Sequence, residues 1–240
     1  MPKPAARGLS AQAGHFYPVA GVDRKTDMLA ALECAEDGDT FACERRLHQF
    51  GYRRVAGTDE AGRGPLAGPV VAACVTLPDD IDTTVFHDSK ILSAKKRERL
   101  AAHLRESGAA IGLGIVEPEE IDRINILKAS LLAMRLALDD LASRWPRPDY
   151  LLIDGIFTID DAIPQSCLKK GESKSASIAA ASIIAKTSRD GIMLELDRRY
   201  PQYNFAGHKG YPTKEHYQML DQWGPCPAHR RSFRGVSDAS

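Results

Sequence analysis

The sequence predicts an α/β fold, and three features carry that reading. Short apolar runs are bounded by turn residues, longer segments repeat apolar residues at helical spacing, and acids stand where two of the apolar runs end. Of the 240 residues 43% are hydrophobic and 27% charged, the make-up of an ordinary soluble chain with one large domain or one domain and an appendage. No apolar run reaches membrane-spanning length, and the N-terminus lacks the basic-then-apolar layout of a secretory signal. Five cysteines (Cys34, Cys43, Cys74, Cys167, Cys226), odd in number and without a CxxC pair, predict a reducing, cytoplasmic setting. The 32 basic residues balance 32 acidic ones, so any affinity for nucleic acid must come from local charge. The last third offers such a face in Lys169, Lys170, Lys174, Lys186, His208, Lys209, Arg230, Arg231 and Arg234.

In chain order, residues 1 to about 26 mix Pro, Gly, Ala and charge without a period and read as a loosely ordered tail. Met28 to Cys34 and Phe41 to Phe50 read as two short helices separated by Glu36-Asp37-Gly38-Asp39. From Arg53 the texture changes: Val55 to Thr58 and Val70 to Leu77 are strands, the second ended by Pro78. Ser93 is placed to cap a charged helix reaching about Ser107, and Ala109 to Val116 is a third strand. Leu127, Leu131, Met134, Leu138 and Leu141 mark an amphipathic helix over Ile126 to Trp145, stopped by Pro146. Tyr150 to Gly155 is a fourth strand that ends on an acid. Ser175 to Tyr200 carries Ala176, Ala179, Ala180, Ala181, Ser182 and Ala185, small enough for its backbone to press on a sheet, with Lys186, Arg189 and Asp190 where it emerges. A loop from Tyr203 to Thr213 then leads to a short helix ending at Gly224.

Chemistry concentrates where strands end, the usual position of sites in open α/β sheets. Asp59 and Glu60 close one apolar run and Asp154 another, and with Glu172 they can form a cluster of carboxylates. Clustered like charges attract a hard divalent cation, and all-oxygen ligands suit Mg²⁺ or Mn²⁺ rather than zinc. Gly62-Arg63-Gly64 follows directly, two residues without Cβ flanking a cation, which allows backbone to approach a phosphate or sugar. Asp-Glu after an apolar run also occurs in Walker-type ATPases, but no GxxxxGK[ST] loop is present, and Gly62, Gly64 and Gly68 lack dinucleotide spacing. Cys226 and His229 have no second close pair to complete a zinc site, so they read as a buried thiol and a structural histidine.

Asp59-Glu60-Ala61-Gly62-Arg63-Gly64-Pro65, Asp88-Ser89-Lys90, Leu152-Ile153-Asp154-Gly155, Lys170-Gly171-Glu172, Ser177 to Lys186, Arg189-Asp190, Gly210-Tyr211-Pro212-Thr213 and His229 to Phe233 together resemble bacterial ribonuclease HII. The resemblance runs from about Gly51 to Val236 and leaves the first fifty residues without a role. It implies a ribonuclease H-like mixed five-stranded sheet flanked by helices, with a helical C-terminal segment, over residues 51–240. It also implies an endonuclease that cuts the RNA strand of RNA/DNA hybrids and cuts 5′ of ribonucleotides embedded in duplex DNA, leaving 5′-phosphate and 3′-hydroxyl ends; the chain itself is expected to be a monomer. By position Asp59, Glu60, Asp154 and Glu172 fall on the catalytic metal ligands for two Mg²⁺ or Mn²⁺ ions, with Glu172 standing where the family usually has Asp. Gly62, Arg63 and Gly64 fall on the loop that recognises the ribose 2′-hydroxyl, Tyr211 on the tyrosine beside the sugar, and Lys90, Ser182 and Lys186 on phosphate contacts. Two rival readings use the same acids: a hybrid-binding module with a decayed metal site, and a hydrolase of small phosphate esters.

Overall fold

A computed structural model describes residues 39–78, 80–86 and 93–236. At its centre is a five-stranded sheet in the order β3-β2-β1-β4-β5, formed by β1 (Val55–Ala61), β2 (Val70–Thr76), β3 (Ala110–Val116), β4 (Tyr150–Asp154) and β5 (Gln165–Leu168). β1 pairs antiparallel with β2 and parallel with β4, so the sheet is mixed and changes direction at β1. The helices are α1 (Ala42–Gln49), α2 (Ala94–Glu106), α3 (Pro118–Ile124), α4 (Ile126–Arg144), α5 (Ala176–Arg199), α6 (Phe205–His208) and α7 (Lys214–Trp223), with single 3₁₀ turns at Thr83–Phe86, Gly171–Ser173 and Pro201–Tyr203. Among the described residues no helix is long and apolar enough to cross a membrane.

Strand alternation divides the core between the two faces. On one face Ala56, Val70, Ala72, Cys74, Leu151 and Ile153 pack against Ala133, Met134, Ala137, Leu138 and Leu141 of α4. On the other, Ala73 and Val75 meet Ala176, Ala179, Ala180, Ile183 and Ile184 of α5, with Leu104 of α2 outside them. Glycines set how closely the helices approach. A Cβ on Gly57 of β1 would lie 2.2 Å from the Ile178 backbone nitrogen, and one on Gly114 of β3 would lie 1.9 Å from the Ala133 carbonyl oxygen. Both helices therefore ride with backbone against backbone, as the run of small residues in α5 anticipates.

Most expected elements stand within a residue or two of their predicted bounds, and three points differ. β1 continues through Asp59 and Glu60 to Ala61, because β2 offers partners Ala73, Ala72 and Val71 beyond the last β4 pair at Thr58 and Ile153. α5 does not emerge at Arg189: that residue is 3% exposed and Met193 is fully buried. α3 and α6 appear within segments that carry no clear period. Met28 to Cys34 lies outside the described residues. Helix α1 is part of the packed body, since its Cys43 and Leu47 join Val55, Tyr150, Leu152 and Ile178 in one cluster. Its Glu44, fully buried, accepts hydrogen bonds from the hydroxyls of Ser175 (2.6 Å) and Ser177 and from the Ser177 N–H (3.0 Å), anchoring α1 to the start of α5.

Candidate active site

The parallel pair β1–β4 ends unevenly, and this creates the site. Past Thr58, β1 has a strand neighbour only on its β2 side, so Asp59 and Glu60 stand open on the side where β4 stops at Asp154. A cleft of about 710 Å³ opens there, lined by Asp59, Glu60, Gly62, Arg63, Gly64, Asp154, Glu172, Ser182, Lys186 and Tyr211, together with Ala61, Ala94, Arg97, Arg189, Asp190 and Lys209. Every sequence-predicted site residue except Lys90 meets in this cleft, and Lys90 lies outside the described residues.

Each acid is held by its own local structure. Asp59 is 7% exposed and accepts from the Glu60 N–H at 2.8 Å, while the Ser182 hydroxyl donates to it from α5. Ser182 is thus engaged with an acid. Glu60 pairs with Arg63 at 3.1 Å. Asp154 accepts from the Gly171 N–H at 2.6 Å, which ties the end of β4 to the turn that carries Glu172. That turn is tightly made: Lys170 is left-handed (φ 57°), and a Cβ on Gly171 would come within 2.6 Å of Ile178 Cδ1 and 3.2 Å of Asp154 Oδ1.

Charge in the cleft is unbalanced. Burial, then Glu60 and Asp154, push the Asp59 carboxyl up to about 7, against the opposing hydrogen bonds. Burial also raises Glu60, although Arg63 pulls the other way. A carboxylate held up by like charges and desolvation is a site short of positive charge. Among the described residues no three His, Cys, Asp or Glu side chains close around a common point tightly enough to hold an ion by themselves. Mg²⁺ and Mn²⁺ do not require such a cage, because Mg²⁺ in phosphate chemistry usually keeps several waters and takes one or two carboxylates plus substrate oxygens.

The Gly62–Gly64 loop is built from beneath. Gly62 has φ 98°, and a Cβ there would strike Arg189 Nε at 2.2 Å. Arg230, read from sequence as part of a basic face, is instead fully buried under the loop, and Arg189 from α5 is buried beside it. The reason is hydrogen bonding: each guanidinium spends its donors on backbone carbonyls, which allows a cation to be interior. Runs such as His229-Arg230-Arg231 do not disclose that one arginine points inward. Tyr211 is 48% exposed at the rim, and a Cβ on Gly64 would approach its ring at 3.8 Å.

Behind Tyr211 the Cys226 and His229 pair resolves as a neutral relay. The Tyr211 carbonyl lies 2.9 Å from His216 Nδ1, which must therefore be the protonated nitrogen, leaving His216 Nε2 to accept from His229 Nε2 at 3.0 Å. His229 Nδ1 then accepts from the Cys226 N–H at 3.0 Å. Burial lowers both histidines to about 4 and keeps them neutral.

The family model described as Ribonuclease HII matches residues 56–236. The chain belongs to the ribonuclease HII family. Ribonuclease HII of Desulfotalea psychrophila is 56% identical over 200 residues, covering 83% of this chain and 89% of that protein. Among solved structures, ribonuclease H2 of Pyrococcus horikoshii superposes with a TM-score of 0.66 at 25% identity, over 78% of this chain and 97% of that one. Bst-RNase HIII in complex with Mn²⁺ has the same fold, with a TM-score of 0.60 at 22% identity over 80% and 70% of the two chains. As a ribonuclease HII, the protein is an endoribonuclease that cleaves RNA in RNA/DNA hybrids and at ribonucleotides embedded in DNA.

Proposed function

We propose that this cleft is the catalytic centre, that Asp59, Glu60, Asp154 and Glu172 hold Mg²⁺ or Mn²⁺ within it, two ions when substrate is bound, and that a monomer cuts 5′ of the ribonucleotide. One observation carries the reading: four acids from β1, β4 and the turn before α5 share a cleft with the Gly62–Gly64 backbone and Tyr211. The donor set suits the ions, being carboxylate oxygen throughout and electrically deficient at Asp59. Mn²⁺ in the structurally similar Bst-RNase HIII supports the same choice. When bound, such ions supply a water of lowered pKa and stabilise charge on the departing 3′-oxygen, which leaves a 5′-phosphate and a 3′-hydroxyl.

The chain's own residues select and align the substrate. N–H groups of the Gly62–Gly64 loop face the ribose 2′-hydroxyl, the feature that separates RNA from DNA at one nucleotide. Tyr211 packs its exposed ring against the neighbouring sugar, while Lys186 and Lys209 stand along the cleft as phosphate contacts that position without reading bases. A small phosphate ester would use none of that extended surface, so the small-substrate rival has no feature in its favour. The test compares three duplexes, one with a single ribonucleotide, one all-hybrid and one all-DNA, in Mg²⁺ and in Mn²⁺. The wild type should cut the first two, and Asp154→Asn should bind them without cutting. Undiminished cleavage by Asp154→Asn in Mg²⁺ would sink the assignment.

A further inference from the structure

The arginines beneath the Gly62–Gly64 loop do more than fill space. Arg230 donates from Nη2 to the Gly62 carbonyl (2.6 Å), from Nη1 to Arg63 (3.2 Å) and Pro65 (2.8 Å), and from Nε to Gly68 (2.9 Å). Arg189 donates from Nη2 to Ala67, from Nε to Pro69 and from Nη1 to Lys209, each at 3.1 Å. Between them, two side chains gather six of the loop's carbonyls, from Gly62 to Pro69, onto its buried side. The peptide unit is planar and trans, so a carbonyl and the N–H of the next residue point in opposite directions. With the Gly62 and Arg63 carbonyls drawn down to Arg230, the N–H groups of Arg63 and Gly64 are turned up into the cleft. Among the described residues neither finds an acceptor, whereas the Leu66 and Gly68 N–H groups further along donate to Gly210 and Ala228. Arg63 and Gly64 both lie at the part of the loop that lines the cleft.

We propose that Arg230, seconded by Arg189, is a positioning residue for ribose recognition: by holding the carbonyl face of the loop, it presents the Arg63 and Gly64 N–H groups to the substrate's 2′-hydroxyl. The inference rests on the reading of Gly62–Gly64 as the ribose-recognising loop. Lysine cannot replace the arginine, because one ammonium lacks the planar fork that spans four carbonyls at once. The arrangement has support on every side. The Arg230 N–H donates to the Leu66 carbonyl at 2.8 Å, and its guanidinium lies 5.1 Å over the Phe233 ring.

The experiment has two arms. In the free wild-type protein, amide hydrogen exchange measured by NMR should find the Arg63 and Gly64 amides unprotected, and both resonances should move on adding a duplex with one ribonucleotide and stay in place with the all-DNA duplex. Protected amides in the free protein would overturn the proposal, and this arm needs no variant to fold. In the second arm the dissociation constants for the two duplexes are compared without divalent ions for wild type, Arg230→Lys and Arg189→Lys, with thermal unfolding as the check on folding. Folded Arg230→Lys should lose about tenfold of the preference for the ribonucleotide duplex, the scale of one hydrogen bond, while keeping its all-DNA affinity. A wild-type preference retained by Arg230→Lys overturns the arginine assignment alone. Absence of any preference in the wild type removes the loop reading itself.

Discussion

Asp59 sits at a point of electrostatic tension, buried and facing two other acids, with one hydroxyl and one N–H to steady it. Its folded value near 7 stands above the unfolded carboxylate value, so stability is lost as the pH rises from that unfolded value through about 7, and the full cost is present above it. Asparagine keeps the shape and removes the charge. Asp59→Asn should therefore be more stable than wild type at pH 8 without divalent ions, on the order of 1 kcal/mol after solvent screening, while cleavage falls by about a hundredfold or more. Calorimetry and a single-ribonucleotide assay on the same preparation check both halves, and a destabilised variant would count against the charge argument. Glu172 poses a geometric question instead. Its backbone is fixed by the tight Gly171 turn and the bond to Asp154, so its extra methylene displaces the carboxylate rather than the chain. Mg²⁺ is stricter about geometry than Mn²⁺-tolerant sites require, and Glu172→Asp should raise the ratio of Mg²⁺- to Mn²⁺-supported cleavage several-fold, about threefold or more. A ratio that does not move would take Glu172 out of the ligand set.

At the scale of elements, the site depends on how closely α5 lies on β1. Gly57→Ala would place a methyl group 2.2 Å from the Ile178 nitrogen, inside a helix that cannot retreat without lifting Ser182 and Lys186. We expect a loss of about 3 kcal/mol in urea unfolding, with weaker cleavage, and a neutral result would mean the helix is not seated this tightly. The histidine pair formed by α7 and the segment after it predicts a pH effect. His216 and His229 are surrounded by His208, Tyr203, Cys226, Glu215 and Arg231, and their folded values near 4 lie below the unfolded value of 6.5. The unfolded chain takes up protons first as pH falls, so the relay's contribution is complete above about 6.5 and lost progressively towards 4. The pair should cost on the order of 2 kcal/mol over that window, and His229→Phe should flatten the dependence in a pH series of thermal unfolding. Much of this layout was legible in the chain. Ser93 accepts from the Lys96 N–H as a cap should, α4 stops before Pro146, and the four longer strands are apolar enough to declare themselves. β5 is only Gln-Ser-Cys-Leu, too short and too polar to show a period, and it exists because β4 offers it an edge. Asp59, Glu60 and Asp154 were visible at the ends of apolar runs, whereas Glu172 sits on a turn and was reached through the family resemblance. The inward turn of Arg189 and Arg230 was not, because burial of a cation is decided by carbonyls that only the folded loop brings together.

For the molecule as a whole, zero formal net charge means that its overall field does not draw in a polyanion. Affinity must come from the few cations that touch phosphate. Removing Arg230 from the basic face read in the sequence shortens the roll, and Arg189 adds nothing to it, since both are interior and committed to backbone. Along the cleft that leaves chiefly Lys186 and Lys209, with Arg63 partly neutralised by Glu60 and Arg97 by Asp190. Counterion release ties the salt dependence of binding to the number of phosphates neutralised, with a slope of roughly 0.9 in the logarithm per contact. A plot of log Kd against log salt for the all-DNA duplex, without divalent ions, should therefore have a slope of about 2 to 4, and Lys186→Ala should lower it by about 1. Because phosphate contacts are blind to the sugar, the same substitution should weaken ribonucleotide and all-DNA duplexes alike, in contrast to the loss of preference expected for Arg230→Lys. A slope near 8 would mean that a much larger basic surface engages the duplex than the cleft provides, and the binding face would have to be sought beyond it.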